Sequence, residues 1–438
     1  MKLDVTPQQR SILIWMCVFI GVNQLGFGAL IPVLPLYAQA YGVPASAIGT
    51  TIAVFGLSRM ISGMPAGQVA DTLGRRPSMA VGGLICTVGN LWCAFAGSFP
   101  EFVAARFVAG LGAGWVQSTG MIVLADISSP AQRGRLMSIF MGTFLFTVGI
   151  GPFPGGLLAQ HFGLAAPFAV YAVASAAAGV LAWWLVPETR DFLQADRSSA
   201  AGAASLAATS ASAAPGSTSG PARPGPAAAH APARAAAAPI HRQIRQLLTD
   251  TGYRMVCLVG LVNAVVRTGG LFNIVPLLAA SKLGLGPGAI GGWLALGSLL
   301  GLAASYPAGA LADRFGRKPI IVPSALLTAA AFLVYCWAPS TLWFAIACVL
   351  WGVAAAVNGA APAAYAADQA PPGMNAAAIS GYRTISDVGY VIGPIMLGLL
   401  VDWQGAEISL LVAAVLVGGI GLLFWRYAPE RWQSAARR

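Results

Sequence analysis

The feature that most limits what this chain can become is its succession of long apolar runs. Twelve segments each reach the roughly twenty residues a helix needs to cross a bilayer. They are residues 11–37, 47–69, 78–97, 101–125, 136–160 and 166–186, then 251–280, 288–312, 320–337, 340–367, 377–401 and 406–427. Composition agrees. Of 438 residues, 57% are hydrophobic and 9% charged, where soluble domains carry about a quarter. So few charges cannot cover a water-exposed surface, and so apolar a chain does not stay disordered. The expected class is an all-α membrane protein with twelve transmembrane helices. The first run is about twice the length of a signal's apolar core, so it is expected to remain as a span although Lys2 and Arg10 make a basic start.

A net charge of +11 raises the question of nucleic acid, and the placement of the charges answers it. Of the 25 Lys and Arg, all but Arg59, Arg106, Arg267, Lys282 and Arg383 fall at the termini or after even-numbered spans. That is the positive-inside pattern, with both termini in the cytoplasm. It predicts a multi-pass integral protein of a bacterial inner membrane, lying in lipid and binding no nucleic acid. The cysteines Cys17, Cys86, Cys93, Cys257, Cys336 and Cys348 form no CxxC pair and read as small buried hydrophobes. The three His stand apart from other ligand types, so neither a metal nor a cofactor is expected.

Between the sixth and seventh spans the composition collapses to Ala, Ser, Pro, Gly and Thr over residues 198–239. Such a stretch has nothing to bury and reads as a tether. His241 to Leu248 then looks like a short basic amphipathic helix at the membrane surface. The organisation is therefore residues 1–188, a six-helix bundle; 189–250, a cytoplasmic linker; and 251–438, a second six-helix bundle.

The two bundles repeat each other. At an offset of 242, residues 65–77 and 307–319 are identical at eight of thirteen positions. The same offset pairs Gly42 with Gly284, Ile48-Gly49 with Ile290-Gly291, Gly110 with Gly352, Asp126 with Asp368, Pro130 with Pro372, and Gly151-Pro152 with Gly393-Pro394. Six spans per repeat is even, so the repeats are parallel in the membrane, and rocking one against the other would expose a shared cavity to either side.

Gly67-Gln68-Val69-Ala70-Asp71-Thr72-Leu73-Gly74-Arg75-Arg76 and its copy Gly309 to Lys318 resemble the loop 2–3 signature of the major facilitator superfamily. Arg106 to Gly110 resembles that family's RxxxG element, and Gly151-Pro152-Phe153-Pro154-Gly155-Gly156 the GPxxGG core associated with antiporters. Ser138 and Thr147 replace two upstream glycines of that last pattern. Physical reasoning gives Gly67 and Gly309 close helix approach and Gly74 and Gly316 a tight turn. Asp71 and Asp313 end their helices, where a carboxylate opposes the dipole and calls for another partner. The resemblance implies that Asp71 meets the N-terminus of span eleven. It also implies that Arg75 and Arg317 pair with Asp126 and Asp368, latching an outward-facing state with Arg76 and Lys318 beside them. Gly151, Pro152, Gly155, Gly156, Gly393 and Pro394 are expected at the interface between halves.

Interior polar groups are the candidates for the substrate cavity: Asn23, Gln24, Arg59, Arg106, Asn263, Arg267, Asn273, Asn358, Arg383 and Asp387. Intramembrane charge is costly and faces a cavity or a partner. Arg59 and Arg267 have no charged counterpart at the repeat offset, which suggests a specific task. Arg383 and Asp387, four apart, could pair on one helix face, and Asp387 is the interior acid left to carry a proton. The leading reading is a secondary transporter of small organic solutes, proton-coupled and exporting, monomeric, its substrate polar or anionic. The alternatives are an importer or uniporter of an organic anion and, in another class, a non-transporting membrane sensor. No cluster of nucleophile, base or metal ligands points to an enzyme.

Overall fold

The computed structural model describes residues 6–128, 132–189, 240–358, 361–371 and 374–430. The tether, Pro130, Pro372 and the side chain of Asp313 lie outside the described residues. Among the described residues, twelve helices are long and apolar enough to cross a membrane: span 1, Pro7–Leu30; span 2, Ala45–Leu73; span 3, Arg75–Phe95; span 4, Phe99–Ile127; span 5, Gly134–Phe162; span 6, Ala166–Leu185; span 7, Thr251–Leu283; span 8, Pro287–Ala312; span 9, Lys318–Trp337; span 10, Thr341–Asp368; span 11, Ala377–Gln404; and span 12, Ala406–Tyr427.

Several spans are interrupted where the sequence supplies a breaker. Span 2 divides at Ser62 and span 5 at Gly151, just before Pro152. Span 7 carries a nine-residue π-helical stretch, Val266–Ile274, between α-helical arms. A π stretch widens the helix and re-aims side chains, and such features concentrate at functional sites. This one contains Arg267 and Asn273.

Within each half, glycines let helices nest. A Cβ on Gly89 or Gly112 of spans 3 and 4 would collide with the opposing backbone at Ala109 or Cys86, and Gly297 and Gly352 of spans 8 and 10 abut in the same way. The halves meet along two seams, span 2 against span 11 and span 5 against span 8. The short helix Ile240–Leu247 after the tether is amphipathic as expected. Its apolar side is packed rather than free: Leu247 is buried, and Ile244 lies against Gly381 at the start of span 11.

Candidate functional site

The seams close one end of the molecule and leave the other apart. At the end where odd-numbered spans finish, a Cβ on Gly49 would strike the Pro394 carbonyl, one on Gly156 the Pro287 carbonyl, and one on Gly291 the Pro152 carbonyl. Asp402 reaches across to accept from the backbone N–H groups of Ala45 (2.7 Å) and Ser46 (3.0 Å). Buried Asn273 aims its Nδ2 at Ala45 O (3.5 Å) and Pro394 O (3.4 Å). At the end carrying the basic loops, Gly67, Gly309 and Gly142 have nothing within 4 Å. Among the described residues, every hydrogen bond between the halves lies at the closed end. Among the described residues, the halves are packed together at one end and apart toward the basic loops.

The loop 2–3 cluster forms without its inter-half partner. Arg75 Nε donates to Asp126 Oδ2 at 2.7 Å, and Arg317 Nε to Asp368 Oδ2 at 3.5 Å. The expected pairs form, but they do so with this end open, so they are not the latch of an outward-facing state expected of them. Each pair joins helices of a single half and survives the separation of the halves. Asp71 does not meet span 11. It pairs with Arg75 one turn on, at 2.9 Å, with its side chain 70% exposed. The physical reason is the separation of the halves at this end. The same separation leaves Gly67 and Gly309 without the close helix neighbour predicted for them. Gly74 and Gly316 take φ of +107° and +98°, the turn their lack of Cβ permits.

The sequence pattern did not single out a second acid in each cluster. Glu188 accepts from the N–H groups of Arg75 (2.9 Å) and Arg76 (3.2 Å), and Glu430 from that of Lys318 (2.8 Å). The Arg76 guanidinium lies 4.9 Å from the centre of the Trp183 ring, and the Lys318 ammonium 5.3 Å from that of Trp425. The signal was available: Pro187-Glu188 and Pro429-Glu430, and likewise Trp183 and Trp425, stand at the repeat offset.

The cavity between the halves begins where the seal ends. Phe27 of span 1 stacks on Phe55 of span 2, centroids 5.4 Å apart, and meets Phe272 of span 7 edge-on at 6.4 Å. With Leu30, Ile31, Leu34, Ile52, Arg106 and Tyr390 these line a narrow, tightly packed pocket at the closed apex. Just below it the Arg59 guanidinium lies 5.5 Å from the centre of the Tyr390 ring, a contact between opposite halves. Arg267 is exposed and within electrostatic reach of Arg59, Tyr390, Tyr382 and Asp387. Two guanidinium groups, one from each half, thus border one space. Arg383 and Asp387 stand closer to the open end. They do not form the local ion pair considered for them; among the described residues Asp387 has no ion pair or hydrogen bond.

Arg106 is 2% exposed, its guanidinium 4.3 Å from the Phe55 ring centre, and among the described residues its Nε and Nη1 have no hydrogen-bond partner. Taking such a group out of water costs several kcal/mol. A desolvated cation–π contact returns about 2 kcal/mol. Stability alone does not account for an arginine here.

Most of the other candidates are held by polar neighbours inside one half. Asn23 is buried in the first half and donates to Cys86 Sγ at 3.6 Å. That sulfur also contacts Tyr171 Oη, Asn90 Nδ2 and Ser175 Oγ, so Cys86 is a polar hub and not the inert filler its apolar surroundings suggested. Asn263 and Asn358 bond each other at 3.4 Å, and Asn358 also bonds Ser324 (3.0 Å) and Thr328 (3.2 Å), a knot inside the second half. Asn273 belongs to the seal. Gln24 is buried with Nε2 unpartnered, on the face of span 1 that carries Phe27 and Ile31. Of the expected interface residues, Gly156, Pro152 and Pro394 do sit on seams. Gly151 and Gly155 instead pack on Gly28 and Ala29 of their own half, and Gly393 on Val265 of its own, because each faces the neighbouring helix of its bundle.

The geometry is that of two repeats closing around a central cavity, and the sequence comparison agrees. The sequence model of the Major Facilitator Superfamily matches residues 16–262 and 256–438. This chain belongs to the Major Facilitator Superfamily. The family is one of membrane transporters, not enzymes. An uncharacterized MFS-type transporter of Methanocaldococcus jannaschii is 29% identical over 161 residues, 37% of this chain and 41% of the relative. The quinolone resistance protein NorA of Staphylococcus aureus is 33% identical over 133 residues, 30% of this chain and 34% of that protein. The aligned stretches thus span less than half of either relative. Similar solved structures include a bacterial homolog of the human lysosomal transporter Spinster, inward-facing and occupied (TM-score 0.75, 14% identity, 99% of this chain and 100% of that one). A D-xylose–proton symporter matches with TM-score 0.69 and 17% identity over 95% and 98% of the two chains. At such identities the likeness is one of fold.

Proposed function

We propose that this protein is a secondary active transporter that exports a small organic anion across a bacterial inner membrane in exchange for protons, by rocking residues 1–188 against 251–438. Both termini lie in the cytoplasm in this reading, so the open end faces inward. The observation that carries the substrate charge is the pair Arg59 and Arg267, contributed by opposite halves to one cavity. Two like charges in a confined, partly desolvated space repel. An anion between them removes that repulsion and draws the halves together. Asp387, an unpaired acid within electrostatic reach of Arg267, is the proton carrier: neutral, it leaves Arg267 free for substrate; ionised, it competes with the substrate for that charge. Export is supported by the GPxxGG core in span 5, and similarity to a quinolone resistance protein is consistent with it.

The test is solute and proton flux in reconstituted vesicles under an imposed pH gradient, screened over organic acids, bases and neutral solutes. Organic acids should move protons, and Asp387→Asn should uncouple the two fluxes. Replacing both Arg59 and Arg267 by Gln should lower anion transport at least a hundredfold. Undiminished transport in that double variant would overturn the anion assignment. Anion movement that ignores the pH gradient in the wild type would favour a uniporter, a reading that the scarcity of interior acids also supports.

A further inference from the structure

Span 2 begins at the closed end, and its first turn is held by a residue of the other half. The first N–H groups of any helix lack intrahelical partners and carry the positive end of its dipole. Span 2 enters from Pro44, which supplies no side-chain cap. The acceptor comes from span 11: Asp402 clasps Ala45 N and Ser46 N with its two oxygens, at 2.7 and 3.0 Å. Gly398, one turn before Asp402, lets the Ala45–Ser46 backbone come close enough for this. Buried Asn273 adds its contact to the Ala45 carbonyl.

The repeat offset supplies an internal control. At the seam of spans 5 and 8, Gln160 replaces Asp402, Pro287-Gly288 replaces Ala45-Ser46, and Ile31 replaces Asn273. Pro287 has no N–H, so a two-pronged clasp is impossible there. Gln160 packs against Gly288 and makes no hydrogen bond among the described residues, and Ile31 is buried in an apolar cluster of the second half. One seam is clasped by a charge and the other is only packed.

We propose that Asp402 is a gating residue: its carboxylate on the first turn of span 2 holds the closed end shut, and this one residue, not its counterpart Gln160, sets how often the carrier opens to that side. The proposal rests on the alternating-access reading. It assigns the clasp a role in the balance between states, beyond capping one helix.

Hydrogen–deuterium exchange on the full chain in lipid nanodiscs tests it without a substrate. Asp402→Ala should raise exchange in residues 45–49. At the far end it should lower exchange in residues 63–74 and 305–317, as that end closes more of the time. A lost pair of charge-assisted hydrogen bonds implies a shift between states on the order of tenfold. Asp402→Asn should move both ends in the same direction and less far. Gln160→Ala should move neither. Gly49→Val, which wedges the seam sterically, should move both ends and serves as the reference. If Asp402→Ala changes only residues 45–49 while Gly49→Val moves both ends, Asp402 is a local cap and the proposal is wrong. It is equally wrong if Gln160→Ala shifts the far end as much as Asp402→Ala does. If Gly49→Val also leaves the far end unmoved, the alternating-access reading itself fails.

Discussion

At the residue scale, chemistry and position separate groups that look alike in sequence. Gly67 and Gly74 sit seven apart in one signature, yet only Gly74 is strained for any other residue. Its φ of +107° belongs to glycine, and a Cβ there would enter the Glu188 carboxylate. Gly74→Ala should therefore cost about 1–3 kcal/mol, read as a lower thermal midpoint in detergent. Gly67→Ala, with open space around it, should leave the midpoint unchanged. It should slow transport, since the space must close in the opposite state. Arg106 gives the sharper contrast. Because its burial costs more than its ring contact returns, Arg106→Leu should keep or raise the thermal midpoint while transport falls. A variant that unfolds would show instead that the guanidinium is structural. Arg106 was legible as a motif residue; its lack of polar partners was not, since partners come from other helices.

At the scale of the element, the apolar pattern placed every span, and it carries no sign of how they are wound inside. Hydropathy cannot distinguish α from π winding, so Val266–Ile274 gave no advance sign. That stretch sets which way Arg267 points. Deleting Gly270 should narrow the wide turn toward α-helical winding and re-aim the side chains within the stretch, Arg267 and Asn273 among them. Membrane insertion should survive, measured as yield of folded protein, and anion flux in vesicles should fall at least tenfold. The short helix Ile240–Leu247 shows the complementary limit. Its amphipathic pattern was readable, and its resting place was not. The pattern says that one face must be covered, and packing decided that span 11 covers it rather than lipid.

For the whole molecule, the repeat was the most informative signal in the sequence, and its exceptions carry as much as its matches. The clusters at Arg75 and Arg317, with Glu188 and Glu430 behind them, repeat because both halves must brace the same turn. Arg59, Arg267, Asp387 and Asp402 do not repeat, and they gather in the space between halves or at its rim. That contrast says the framework is symmetric and the working groups are not. Under the proposed function, salt acts on one of them. Raising ionic strength should weaken substrate capture at exposed Arg267, seen as a higher apparent KM for an organic anion. It should affect a neutral solute little.

The class, the number of spans, the basic side, the two parallel repeats and the superfamily were all readable along the chain, because hydropathy, charge bias and a fixed offset are additive in one dimension. Which polar residues share a space came from tertiary packing. Asn23, Asn263, Asn273 and Asn358 looked like cavity residues as much as Arg59 and Arg267 did. Which way a side chain faces depends on helix rotation and on the neighbour across the gap, and neither is written in local spacing. The same holds for the conformational state. Asp71 can meet its own Arg75 or another helix, and the sequence permits both. Only the packing of whole helices decides: the halves meet at the far end, Gly49 on Pro394 and Gly156 on Pro287, stand apart at this one, and leave Asp71 to its own Arg75.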